Sequence, residues 1–131
     1  MVVKLIVADD QEVIRQGLAV LLASREIRLV AEAATGNEAI TLTERHKPDV
    51  LLLDVRMPDM DGLDALEQIR ENTPATKVIM ISAHDNPSYV ARAVVLGAVH
   101  FLLKDVPGEA YVAAIHRAVA GGEFPERSGW N

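Results

Sequence analysis

The chain has 131 residues, a common size for one domain, and one hydrophobic core with no second domain is expected. Half of the residues are apolar, yet no apolar run approaches the ~20 residues that span a bilayer and no basic stretch precedes a signal-peptide core; no membrane contact and a cytoplasmic location are expected. A formal net charge of −6 argues against nucleic-acid contact by this segment, and the absence of cysteine excludes disulfides, thiolate zinc sites and cysteine nucleophiles.

The apolar run Lys4-Leu5-Ile6-Val7-Ala8 has strand length and stops at the carboxylates Asp9 and Asp10. The spacing of Val13, Leu18, Leu21 and Leu22 predicts a helix within 11–24, and a second strand is expected over 27–34. Gly36-Asn37 opens a helix to about His46, which Lys47-Pro48 stops because proline disfavours a helical residue before it. The run Asp49-Val50-Leu51-Leu52-Leu53-Asp54 is a third strand, again ending in acid. Turn chemistry fills Arg56-Met57-Pro58-Asp59-Met60-Asp61-Gly62, after which Leu63, Leu66, Ile69 and Arg70 carry a helix to Asn72. Ser82 closes the fourth strand, Val78-Ile79-Met80-Ile81, and Asn86-Pro87 starts a helix capped at Gly97. Phe101-Leu102-Leu103 leads into Lys104. Val106-Pro107 begins the last helix, with Tyr111, Val112, Ile115 and Val119 at helical spacing before Gly121-Gly122.

Strand and helix thus alternate five times over. That order predicts an α/β fold: one doubly wound, five-stranded parallel sheet with helices on both faces, in the flavodoxin-like strand order. Residues 1–122 are expected to form this domain. Residues 123–131, which end Glu126-Arg127-Ser128-Gly129-Trp130-Asn131, read as a tail or the start of a linker.

Parallel strands that end at Asp9-Asp10 and at Asp54 deliver three carboxylates to the edge where open α/β sheets bind ligands. Like charges at close range resist shared ionisation unless something positive intervenes. Mg²⁺ prefers such oxygen ligands and commonly bridges protein to a phosphoryl group. Lys104 adds a fixed positive charge at the same edge, and Ser82 a hydroxyl. The constellation reads as an acid pocket for a phosphoryl group. Plainer readings stand beside it: Asp9 as a helix N-cap completed by Glu12, Asp54 as a satisfied loop carboxylate, Lys104 as a snorkelling surface lysine and Phe101 as core filler. His46, His84, His100 and His116 show no paired metal-ligand spacing, and only His84 lies near the pocket.

With these residues located, the chain resembles the receiver domain of two-component response regulators (CheY-like) over nearly its whole length, from Lys4 to Gly122. Asp9-Asp10, Asp54 followed by Met57-Pro58 and Gly62, Ser82-Ala83 and Lys104 stand in register with that pattern. The stretch Gly97-Ala98-Val99-His100-Phe101-Leu102-Leu103-Lys104-Asp105, with Ala114-Ile115 and Gly121-Gly122, is most similar to the NarL/LuxR-type subgroup.

The resemblance implies a signalling switch, not an enzyme in the ordinary sense, that assists its own phosphorylation and dephosphorylation. Asp54 would accept the phosphoryl group from a sensor histidine kinase or a small phosphodonor. Asp9, Asp10, Asp54 and the backbone carbonyl of Arg56 would hold Mg²⁺. Lys104 and Ser82 would bind the phosphoryl oxygens, and Phe101 would be the switch aromatic. By the same resemblance, Arg56 and His84 would flank the phosphoryl group and tune its hydrolysis. The implied output is transcription, through a DNA-binding domain absent from this chain; the alternatives are a stand-alone receiver acting by protein contact and a phosphorylation-independent receiver. Phosphorylation is expected to promote a homodimer. A haloacid-dehalogenase-type hydrolase would want a second acid where Arg56 stands, and no Gly-rich phosphate loop is present for a nucleotide-binding protein.

Overall fold

Leu51, Leu52 and Leu53 are completely buried, as are Val78, Ile79, Met80 and Ile81, so these segments are covered on both faces and show no polar alternation. The computed structural model, which describes residues 2–23 and 26–121, arranges five such strands in parallel. The elements are β1 Val3–Ala8, α1 Glu12–Leu22, β2 Ile27–Ala33, α2 Gly36–His46, β3 Val50–Asp54, α3 Gly62–Asn72, β4 Lys77–Ser82, α4 Pro87–Val95, β5 His100–Leu103 and α5 Gly108–Val119. The sheet order is β2-β1-β3-β4-β5, the doubly wound order expected. Gly122 and the expected tail, residues 123–131, lie outside the described residues.

The two-residue period of each strand divides the core in two. Ile6, Leu51, Leu53, Val78 and Met80 meet α2, α3 and α4 on one face; Val7, Leu52, Ile79 and Ile81 meet α1 and α5 on the other. Each fully buried Leu or Ile contributes about 1.5–3 kcal/mol relative to exposure. Register then fixes the site, because Ala8 pairs with Leu53, Asp54 with Ile81 and Ser82 with Leu103, so all four strand ends reach one edge.

Helix termini follow local chemistry. Thr35 Oγ1 accepts from the Glu38 N–H at 3.1 Å while Glu38 Oε1 accepts from the Ala34 N–H at 2.9 Å, a capping exchange at the start of α2. Asn86 caps α4 through Ser88, with Pro87 in the first turn. Gly97, at φ 97°, closes α4: its N–H reaches Val94 and that of Ala98 reaches Ala93, a Schellman arrangement.

Helix α1 departs from expectation. It spans Glu12–Leu22, and Val13 and Leu21 are 71% and 56% exposed. Leu18 and Leu22 face inward as their spacing suggested, and Ile14, four residues before Leu18, completes the inward stripe. Gln11 occupies the N-cap position without a side-chain hydrogen bond, so neither Asp9 nor Asp10 caps the helix.

Candidate functional site

Asp54 is the last residue of β3 and is 3% exposed. Its Oδ1 accepts the Arg56 N–H at 3.1 Å, and its Oδ2 accepts a hydrogen bond from Lys104 Nζ at 2.9 Å. Asp9, just past β1, is completely buried; its Oδ1 accepts the Gln11 N–H at 2.9 Å. Its Oδ2 lies 2.7 Å from Lys104 Nζ as an ion pair, without the alignment of a hydrogen bond. Asp10 is exposed, and one carboxylate oxygen from each of Asp9, Asp10 and Asp54 falls within 4.8 Å of the others. Sequence reasoning placed these three acids and Lys104 together, and the geometry brings them together.

The electrostatics follow from burial. Desolvation pushes the Asp54 carboxyl above its ordinary value; Lys104 and the Arg56 N–H oppose the rise, and the Asp9 charge adds to it. For Lys104 burial favours the neutral amine, but the close carboxylates of Asp9 and Asp54 outweigh it and hold the ammonium above its ordinary value. One ammonium thus faces three acids. The excess of negative charge in three clustered carboxylates fits a hard divalent cation bound by carboxylate oxygen and water.

Lys104 is held at its backbone as well as at Nζ. Its N–H donates to the Ser82 carbonyl at 2.8 Å, and its own carbonyl accepts from the Tyr111 hydroxyl at 2.8 Å. Tyr111 is 1% exposed, and burial, followed by the charges of Asp9 and Asp105, pushes its phenol up to about 12. Its place in the apolar stripe of α5 suggested only packing. A hydroxyl on a fully buried helix face was the available signal, since such a group takes a partner.

Ser82 stands at the adjoining strand end, 5% exposed, but its hydroxyl is turned to its own loop: it donates to the His84 carbonyl at 2.9 Å and accepts the His84 N–H at 3.1 Å. Phe101 is half-buried and packs, with Tyr89, against the α2–α4 side of the core. The side chains of Arg56 and His84 are exposed.

The loop after Asp54 is closed on itself. The Gly62 N–H donates to the Val55 carbonyl at 2.7 Å, and Arg56 bridges to Asp61. A Cβ on Gly62 would collide with the Asp54 carbonyl, so only glycine permits this approach. Asp59 also ties the loop to α2, accepting the Gly36 and Asn37 N–H groups at 2.7 and 2.9 Å. The Asn37 N–H is the leading cause holding its carboxyl below the ordinary range. Sequence reasoning saw this aspartate only as turn chemistry. Among the described residues, no helix is long and apolar enough to cross a membrane.

Comparison with known proteins agrees with this geometry. Residues 5–116 match the model of the response regulator receiver domain. The transcriptional regulatory protein YhcZ of Bacillus subtilis is 38% identical over 92% of the chain, and DegU of Brevibacillus brevis 32% over 93%; the chain spans 56% and 52% of their lengths, about half of each. The signal receiver domain of the response regulator NarL from Mycobacterium tuberculosis superposes with a TM-score of 0.87 at 40% identity, covering 92% of this chain and 98% of that one. A LuxR-family two-component response regulator from Aurantimonas sp. superposes at 0.90 with 26% identity, covering 98% of this chain and 92% of that one. The chain therefore belongs to the response regulator receiver family, and its relatives are response regulators of the NarL/LuxR type.

Proposed function

We propose that Asp54 is the phosphoacceptor of this receiver and that Asp9, Asp10, Asp54 and the Arg56 carbonyl hold the Mg²⁺ it uses. The observation that carries the reading is the Asp54 carboxylate at a strand end, 2.9 Å from Lys104 Nζ and grouped with the two other acids. Phosphoryl transfer asks a protein mainly for position and charge neutralisation. An Asp54 oxygen attacks the phosphorus of a phosphohistidine on a sensor histidine kinase, or of a small phosphodonor; the new P–O bond forms as the bond to the leaving group breaks. Bound Mg²⁺ would neutralise charge building on the phosphoryl oxygens. Lys104 exchanges its hydrogen bond to Asp54 Oδ2 for one to a phosphoryl oxygen, while Asp9 keeps it in place.

The new dianion gives Ser82 a stronger acceptor than the His84 carbonyl. Turning the hydroxyl breaks the two bonds that shape the β4–α4 loop. The space released lets Phe101 turn further inward, a two-state element of the kind a switch requires. Going from 1:99 to 99:1 needs ~5.5 kcal/mol of differential interaction. Arg56 and His84 flank the phosphoryl position and set its hydrolysis, so the receiver assists both its phosphorylation and its dephosphorylation.

On this proposal residues 1–122 are the receiver and 123–131 a tail or the start of a linker. The output is transcription through a DNA-binding domain beyond this chain, supported by regulator relatives about twice as long. Phosphorylation promotes a homodimer, and the protein works in the cytoplasm. Intact mass after incubation with acetyl phosphate tests the reading: a Mg²⁺-dependent gain of one phosphoryl group in wild type and none in Asp54→Asn is expected. No gain in folded wild type would overturn it.

A further inference from the structure

Asp9 and Asp10 follow the end of β1, so the strand ladder alone does not fix their carboxylates. The Asp9 N–H is held by the Ala33 carbonyl at 3.0 Å and its Oδ1 by Gln11. The remaining backbone group, the Asp9 carbonyl, accepts a 2.6 Å hydrogen bond from Nη1 of Arg15. That carbonyl belongs to the peptide joining Asp9 to Asp10, and the peptide is planar; its orientation fixes the Asp10 N and Cα from which that carboxylate extends. Arg15 is itself anchored: its side chain is 15% exposed, and its Nε donates to Glu32 Oε1 on β2 at 3.1 Å.

We infer that Arg15 is a positioning residue for the cation site, aligning the Asp9-Asp10 pair through their shared peptide. The inference rests on the Mg²⁺ reading above. Its sign separates it from a plain charge effect. A guanidinium beside a cation site repels the cation, so removing it would tighten binding if charge were all that mattered. Loss of an orienting group outside the ligand set instead weakens metal affinity, commonly 10–100-fold. The planar fork that spans Asp9 and Glu32 together cannot be reproduced by lysine, which keeps the charge alone.

The test is calorimetric titration of MgCl₂ at constant ionic strength into wild type, Arg15→Ala and Arg15→Lys, with thermal melts to establish that each is folded. Both variants are expected to bind Mg²⁺ at least tenfold more weakly. Tighter or equal binding by Arg15→Ala, with Arg15→Lys unchanged, would overturn the inference. If Arg15→Ala does not fold, Arg15→Lys decides alone, since charge predicts no change and positioning predicts weakening. Wild type that takes up no Mg²⁺ would defeat the metal reading itself, and the inference with it.

Discussion

Asp54 is held where its ionised form is disfavoured. With its folded value raised above 3.8, the native state keeps the proton longer than the unfolded chain, so stability falls as pH rises through the window just above 3.8. Asp54→Asn should therefore melt higher than wild type at pH 7 without Mg²⁺, and scanning calorimetry should show the gap narrowing as pH drops towards 4. Lys104 and Tyr111 act at the other end of the scale. The Lys104 contribution is full below 10.5 and lost as pH rises beyond it. For Tyr111 the loss runs from 10.0 to about 12. Tyr111→Phe deletes the bond to the Lys104 carbonyl, and urea titration at pH 7 should register a loss of about 1–2 kcal/mol. The same variant should show a shallower decline between pH 10 and 12, since its phenol no longer titrates.

At the level of elements, two glycines that both look tight behave differently. A Cβ at Gly62 meets backbone, the carbonyls of Asp54 and Val55, which cannot retreat without moving β3. Gly62→Ala should lose more than about 4 kcal/mol or fail to fold. A Cβ at Gly36 meets the Met60 side chain, a flexible group that can rotate aside, and Gly36→Ala should remain folded with a smaller loss in the same titration. Asp59 caps α2 from outside the helix. Asp59→Ala should speed hydrogen exchange at the Gly36 and Asn37 amides while leaving α5 protected. Since its carboxyl lies below 3.8 in the folded state, this cap is intact above that value and is lost only as pH falls below it.

For the whole molecule, three acids against one ammonium mean that a bound divalent cation should stabilise the fold. At 100 times its dissociation constant, Mg²⁺ should add about 2.7 kcal/mol, read as a rising melting temperature that Asp9→Asn abolishes. Much of this was legible in order along the chain. Unbroken apolar runs identify buried parallel strands, and a parallel sheet must gather their ends, so Asp9, Asp10, Asp54 and Lys104 follow from pattern alone. What escaped was specific side-chain contact, whether between distant segments, as with Asp59 and α2, or across the turn from β5 to α5, as with Tyr111 and Lys104. Nothing local to Asp59 shows that it faces the first turn of α2, or that the hydroxyl of Tyr111 reaches Lys104. In α1, an apolar set with two compatible faces left Val13 and Leu21 indistinguishable from core until neighbours covered the other side. The closed loop from Val55 to Gly62 has one more effect. Secured by its own backbone and by Asp59, it forms the fixed jaw of a vice, while across the site the Ser82 hydroxyl, bonded to the backbone of its neighbour His84, is the part that would turn on the proposed phosphorylation. On that proposal, strain introduced between them would be delivered in one direction, towards α4 and β5.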